Sequence, residues 1–316
     1  MPAVSVVIPT RNRPALVLRA VESALAQTCA DLEVVVIIDG PDAATRNVLE
    51  ALQEPRLLVV ELEQSVGGSE ARNQGVVHAK GKWIALLDDD DEWMPTKIAR
   101  QLEIAEAAQN PYMLVFTRMV TRYPTEEFIW PRRLPEPGEK ICDYLFIRKG
   151  FSFGEGFLQT SSFFTSRQML SEVPFRKGQL RFQDTDWLLR ASSHPKAEIH
   201  VIADPLVIYY MNDSAAVSRK PDWEYLYNWG RENLLPLSKR AYSYFLATQC
   251  MPRAGKQDAP FRVKAKLLWE CIGKGSATLN CIFLGLVYWF TTEKFRHALR
   301  DSVNAAGKAK QRLVEP

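Results

Sequence analysis

The stretch GGSEARNQGVVHAKGKWIALLDDDDEW, Gly67 to Trp93, sets a helix, a strand and a run of acids in immediate succession. Glu70 to Ala79 reads as the helix and WIALL, Trp83 to Leu87, as a buried strand. Five consecutive acids then follow the strand, Asp88 to Glu92, and their mutual repulsion has to be balanced by something. One solution is an acidic turn before a helix starting near Pro95, where negative charge suits the N-terminal dipole. The other is a cation. Carboxylates at a strand end are hard oxygen donors, suited to Mg²⁺ or Mn²⁺. With alternating orientation, Asp88 and Asp90 form one pair and Asp89 and Asp91 the other, and one pair faces a ligand.

Working outward, the same rhythm continues on both sides. SVVIP (Ser5 to Pro9) and EVVVIID (Glu33 to Asp39) are β-branched runs without helical spacing, as expected of parallel strands buried on both faces. Between them Leu16, Ala20, Val21, Ala24 and Leu25 form one helical stripe, with Pro14 suited to the first turn. A helix from about Ala43 to Gln53 and a strand from Arg56 to Leu62 come next. Downstream lie a helix from Pro95 to about Ala108 and a strand from Tyr112 to Val120. Such alternation predicts a mostly parallel sheet covered by helices, with ligands bound beyond the carboxyl ends of the strands. Thr10, Arg11, Asp39 and the four aspartates all fall at such ends.

Tyr123 to Gly156 is rich in proline, glycine and charge and reads as an insertion or loop over that edge. FLQTSSFFTS, RFQDTDWLLR and IHVIADPLVIYYM follow, and beyond about Pro221 the pattern becomes helical. The expected organisation is an α/β domain over 1–215 and a helical extension over 216–316.

Composition bounds the rest. With 316 residues, 47% apolar and 24% charged, a disordered chain is excluded. Five widely spaced cysteines with no CxxC pair indicate neither a disulfide framework nor a zinc knuckle, and fit a reducing compartment. MPAVSVVIPTRNRP shows no signal-peptide pattern. The apolar run CIFLGLVYWF, Cys281 to Phe290, is about half the ~20 residues that a membrane-spanning helix needs. Residues 231–316 carry 15 Lys+Arg against 6 Asp+Glu, or +9, which leaves −6 for residues 1–230. That basic tail is either a solvated helical surface or an attraction to an anionic membrane face or acidic substrate.

Four stretches in order, VVIPTRNRP (Val6 to Pro14), the strand ending in Asp39-Gly40, Gly67 to Trp93, and QDTDWLLR (Gln183 to Arg190), resemble the family 2 glycosyltransferases. The likeness covers about residues 4 to 215. It implies a GT-A fold and inverting transfer of a sugar from a nucleoside diphosphate to a hydroxyl. It also implies that Thr10, Asp39 and Arg72, with Arg11 beside them, line the nucleotide pocket, that Asp88 holds the ribose, and that Asp90 is the metal-bound member of a DxD pair. Asp184, the aspartate of an [E/Q]-D pair before a short helix, would be the general base that takes the acceptor's proton. Asp186 is the rival, with helix N-capping as the bland role of both. Asp89, Asp91, Gln183 and Asn212 are lower-weight donor- or acceptor-side candidates, Asn212 standing where the family often places a metal-binding histidine. Gln159, Thr160 and Ser161 resemble an acceptor-side strand. Asp39 could instead cap the helix beginning at Pro41 or Asp42, and Arg72 could be a plain surface arginine.

The Q-x-x-R-W signature and multiple membrane spans of processive members do not appear, which favours addition of one or a few sugars. The implied partners are a nucleotide-sugar donor, with a UDP-sugar favoured, and a glycan or lipid-linked acceptor, but no nucleic acid. Peripheral contact with the cytoplasmic membrane face, or homo-oligomerisation through the C-terminal helices, is the expected role of the extension. A sugar-nucleotide nucleotidyltransferase, which would need a glycine-rich N-terminal loop, and a non-catalytic nucleotide- or metal-binding module are the competing classes.

Overall fold

Every residue of Val4–Thr10 (β1) except Pro9 is buried, as are five consecutive residues, Val34 to Ile38, of Leu32–Ile38 (β2). These β-branched runs can be apolar on both faces because helices cover both. Each fully buried Val or Ile contributes about 1.5–3 kcal/mol, so the two strands anchor the core. The computed structural model describes residues 1–150, 154–211 and 222–291. They divide into two units, one of residues 1–137 and 156–218, the other of 138–155 and 219–316.

The first unit is built on a nine-stranded mixed sheet. Its remaining strands are Leu57–Glu61 (β3), Trp83–Leu86 (β4), Glu92–Trp93 (β5), Met113–Arg122 (β6), Glu127–Trp130 (β7), Phe164–Ser166 (β8) and Glu198–Tyr210 (β9). The order is β3-β2-β1-β4-β8-β6-β9-β5, with β7 paired to β6. Strands β1 to β4 run parallel, whereas β8 is antiparallel to both β4 and β6.

Register places the strand ends side by side. Thr10 pairs with Ile38, and Asp39 N–H donates to the Thr10 carbonyl at 2.9 Å. On the other flank Val7 pairs with Leu86, and Leu87 N–H donates to the Val7 carbonyl at 3.1 Å. Thr10, Asp39 and Asp88 therefore emerge at one edge because two ladders fix them there.

Pro14–Leu25 (α1) buries Val17, Ala20, Val21 and Ala24, a four-residue stripe at helical spacing, while Leu16 and Leu25 lie half-buried beside it. Ala43–Glu50 (α2) is capped by Asp42, whose carboxylate accepts from Thr45 N–H, so Asp39 is not the cap of this helix. Gly68–His78 (α3) packs closely on β1. A Cβ at Gly75 would lie 2.2 Å from Val7 Cγ1, which is why the helix–strand contact needs a glycine there. Lys97–Ala108 (α4) precedes β6.

Segment 138–155 belongs to the second unit. Its helix, Ile141–Phe146 (α5), packs with the C-terminal helices: the rings of Phe146 and Phe245 meet edge-on at 5.3 Å. In the first unit, Arg167–Glu172 (α6) and Gln183–Ser192 (α7) follow β8. The helical unit continues with Trp223–Asn233 (α8), Lys239–Phe245 (α9), Met251–Lys256 (α10), Phe261–Gly273 (α11) and Leu279–Phe290 (α12). Its centre holds Glu270, which accepts hydrogen bonds from the Tyr227 and Tyr242 hydroxyls at 2.7 and 2.9 Å and from Lys274 Nζ at 3.0 Å. A buried carboxylate with three donors is a satisfied structural anchor. No helix among the described residues is long and apolar enough to cross a membrane.

Candidate active site

A cleft of about 540 Å³ opens at the carboxyl ends of β1, β2 and β4, lined by the 9–13 loop, Asp39, the start of α3, Asp88 to Asp90, Thr160 and the 180–184 loop. Thr10, Arg11, Asp39, Arg72, Asp88, Asp90, Gln183 and Asp184 all line it. Residues spread over about 170 positions of sequence thus meet in one place within the first unit.

The acidic tetrad is a turn, not an extended run, since Asp91 N–H donates to the Asp88 carbonyl at 3.2 Å. Strict alternation is therefore lost, and each acid has its own setting. Asp88 receives Arg72 Nη2 at 2.6 Å and Gln159 Nε2 at 2.8 Å. Asp89 is buried, holding the Thr10 hydroxyl at 2.8 Å and Arg13 Nη1 at 2.9 Å. Asp91 is wholly buried beneath the cleft, accepting from Ser161 Oγ at 2.6 Å, Gln159 Nε2 at 3.0 Å and Tyr210 N–H at 3.3 Å. Asp90 has the least protein around it: its side chain is 35% exposed, and Arg13 Nη1 reaches it at 3.2 Å.

Electrostatics follows from this crowding. Burial pushes the Asp90 carboxyl up to about 6, with Asp88 and Asp89 adding to the rise and Arg13 opposing it. Burial also raises Asp89 and, far more, Asp91. Tyr209 stands against the same acids, so burial first, and then Asp91 and Asp184, push its phenol upward. Five aspartates, Asp39, Asp88, Asp89, Asp90 and Asp184, share the cleft lining with four arginines, Arg11, Arg13, Arg72 and Arg181. The cleft's exposed donors are carboxylate oxygens, the class that a hard divalent cation selects. Among the described residues no three His, Cys, Asp or Glu side chains converge as a ready-made cage, so a metal here would draw the rest of its shell from water and ligand.

Opposite the tetrad, α7 begins after Phe182, whose φ of +59° is a left-handed conformation that costs a non-glycine residue about 1–2 kcal/mol. This turn lets the Phe182 carbonyl accept from Asp186 N–H at 2.7 Å and puts Gln183 and Asp184 at the cleft wall. Asp184 lies in the first helical turn and is not the cap. Its Oδ1 accepts from Thr185 N–H at 2.7 Å, while Oδ2 has no hydrogen-bond donor among the described residues. Burial, followed by the charge of Asp88, raises its carboxyl from the ordinary value. Asp186 is turned away and buried, held by Arg176 Nη1 at 2.8 Å and Arg190 Nε at 2.9 Å. It is an ion-paired anchor of the helix and not a cap.

The family model described as "Glycosyl transferase family 2" matches residues 5–173, just over half of the chain. The chain belongs to glycosyl transferase family 2. It is similar to the succinoglycan biosynthesis protein ExoO of Rhizobium meliloti (strain 1021), with 40% identity over 108 residues, 34% of this chain and 31% of that protein. The UDP-Glc:alpha-D-GlcNAc-diphosphoundecaprenol beta-1,3-glucosyltransferase WfaP of Escherichia coli is 30% identical over 129 residues, 41% of this chain and 49% of that protein. These matches span less than half the length of either relative. Among solved structures, S. aureus TarS 1–349 in complex with UDP-GlcNAc aligns with a TM-score of 0.62 at 16% identity, covering 94% of this chain and 92% of that one. At that identity the likeness is one of fold, a GT-A type mixed sheet with C-terminal helices, and the enzyme class is that of the glycosyltransferase family.

Within this family 2 fold the side chains lining the cleft are held by partners in the chain itself. Asp39 is fully engaged: it accepts from Ser65 Oγ at 2.9 Å, Val66 N–H at 2.6 Å and Gly67 N–H at 3.0 Å. Arg72 is buried, not a surface arginine, and its Nη1 donates to Gln183 Oε1 at 2.9 Å, joining the tetrad side of the cleft to the α7 side. The Thr10 hydroxyl is committed to Asp89, and Arg11 Nη1 to Ser65 Oγ at 2.7 Å. Asn212 lies outside the described residues. Three contributors had no assigned role in the sequence reading. Arg13 bridges Asp89 and Asp90, Ser65 links Arg11 to Asp39, and the Leu180–Phe182 loop forms one lip. Only Arg13 carried a signal, its place in VVIPTRNRP.

Proposed function

We propose that this chain transfers a sugar, with inversion, from a nucleoside diphosphate sugar to a hydroxyl of a glycan or lipid-linked acceptor, with Mg²⁺ or Mn²⁺ bound by Asp90. A UDP-sugar is the favoured donor, and assembly of a cell-surface polysaccharide at the cytoplasmic face of the membrane is the setting. The names of the WfaP and ExoO proteins and the UDP-GlcNAc bound by TarS support donor and setting. The observation that carries the chemistry is the single cleft shared by Asp88, Asp90 and Asp184.

In this reading the base end of the cleft lies between the 9–11 loop and the 65–67 turn that Asp39 holds in place. Asp90 would hold a divalent cation, which when bound would supply positive charge against the departing diphosphate. Arg13 and Arg72 face the same region and supply fixed positive charge. Asp184 Oδ2, the oxygen without a donor, takes the acceptor's proton as that hydroxyl oxygen bonds to the anomeric carbon. The bond from the anomeric carbon to phosphate breaks, and its electron pair leaves with the diphosphate. Thr185 fixes the other carboxylate oxygen, so the base keeps its orientation. One direct displacement inverts the anomeric centre.

A thermal-shift panel of UDP-, GDP- and dTDP-sugars, with Mn²⁺ or with EDTA, tests the donor and metal assignments. Stabilisation by UDP-sugars that EDTA removes is expected. A nucleotide effect indifferent to EDTA would overturn the metal role of Asp90.

A further inference from the structure

We propose that the outer face of α11 and α12 is a docking surface for an anionic lipid bilayer. Helix α12, LNCIFLGLVYWF, contains no charged residue in twelve. Its inner side buries Cys281, Leu284 and Gly285. The outer side, which on an ordinary surface helix would be polar, carries Leu279, Phe283, Leu286 and Phe290. Their spacing of four, three and four places them in one stripe, and Leu279 and Phe290 are 87% and 76% exposed. Helix α11 repeats the arrangement, with Leu267, Glu270 and Cys271 inward and Phe261, Trp269 and Ile272 outward, Trp269 being 72% exposed. The two stripes join, because the ring of Phe261 meets Trp289 at 5.2 Å and Trp289 stacks on Phe290 at 5.5 Å. Beneath this face Glu270 is already satisfied by three donors. An apolar surface of this kind marks an interaction site.

Charge identifies the partner. From Lys239 to Thr291 there are eight Lys+Arg against two Asp+Glu, and one of those two acids is the buried Glu270. Arg262, Lys264 and Lys266 lie on α11 itself, with Lys274 just past its end. Anionic headgroups complement that cluster of positive charge, whereas a second copy docked through the same face would set like charges against each other. Length fixes the mode. Twelve residues span about 18 Å, against the ~30 Å of a bilayer's hydrocarbon core, so α12 would lie along the interface. Trp269 and Trp289 suit the headgroup level, where indole rings concentrate.

Docking here depends on no residue of the catalytic cleft. UDP binding measured on the same preparation therefore separates a failed surface from a failed active site. The experiment is flotation of the full chain with vesicles of phosphatidylcholine alone or with about one-third phosphatidylglycerol, at low and high salt. Binding to the anionic vesicles is expected to exceed that to neutral ones by about tenfold and to weaken with salt. The double variant F283S/L286S should lose about tenfold or more in partitioning with UDP binding unchanged, and K264E/K266E should lose the preference for anionic lipid. If a variant fails to fold, quenching of tryptophan fluorescence by bromolipids in the unaltered chain reads the same insertion. A chain that stays with the soluble fraction in anionic vesicles, or shows no quenching, overturns the proposal. So does a dimer, seen by light scattering without lipid, that F283S/L286S dissociates, since the face would then be covered by a second copy.

Discussion

Asp90 is a site where function and stability are expected to conflict, and Asp90→Asn measures the conflict. The folded carboxyl holds its proton up to about pH 6, against an ordinary value of 3.8. The folded state therefore binds the extra proton between those values, and stability falls as pH rises through that window. Above it the full cost of the ionised group is present. The shift of about two units corresponds to at most about 3 kcal/mol. The side chain is 35% exposed, however, so solvent screening reduces the cost to about 1–2 kcal/mol. Removing the charge without changing the shape should raise the unfolding midpoint at pH 7.5 by roughly 2–8 °C, at 2–4 °C per kcal/mol for a domain of this size. The assay is thermal unfolding of D90N and the parent chain, both in EDTA, at pH 7.5 and again at pH 4. Near pH 4 the parent is protonated too, and the gain should vanish. With Mn²⁺ and UDP at pH 7.5 the order should reverse, because only the parent can bind both. A D90N variant less stable than the parent in EDTA, or a gain that persists at pH 4, would refute the reasoning.

Other perturbations separate the remaining roles. Asp184→Asn should leave UDP affinity within about twofold while turnover falls by roughly 10²–10⁴-fold, as measured by product formation from a radiolabelled donor. Because Asp184 must be ionised to accept a proton, and burial and Asp88 raise its carboxyl, the acid limb of kcat/KM should lie above 3.8. Asp186→Asn should instead destabilise by about 1–3 kcal/mol in urea unfolding, through loss of the Arg176 and Arg190 pairings, with kcat at low temperature unchanged. Gly75→Ala pushes a methyl against Val7 Cγ1 and should cost about 1–3 kcal/mol, and Val7→Ala in the same chain should cost less than the two single changes summed.

The first half of the sheet was legible because its signals are local. β1, β2 and β4 are short apolar runs whose ends carry polar residues, and parallel order alone brings Thr10, Asp39 and Asp88 to one edge. The short elements were not legible: β8 is three residues and β5 two, too few for any periodicity, yet β8 enters the sheet antiparallel between β4 and β6. The same limit applies within the cleft. Asp184 stood out through its QD pair and the acids around it. What each acid touches depends on partners far along the chain, such as Gln159, which reaches Asp88 and Asp91 across some 70 residues. Asp39 is held by a turn 26–28 residues away, which no spacing rule at its own strand end could show. Likewise the turn from Asp88 to Asp91 broke the alternation that an extended run would have kept.

Calorimetric titration of UDP, with Mn²⁺ or with EDTA, into the parent chain, D90N and D184N tests the two-carboxylate assignment most directly. Mn²⁺-dependent binding is predicted for the parent and for D184N, and its loss for D90N. Equal UDP affinity in all three proteins, unaltered by EDTA, would contradict the account.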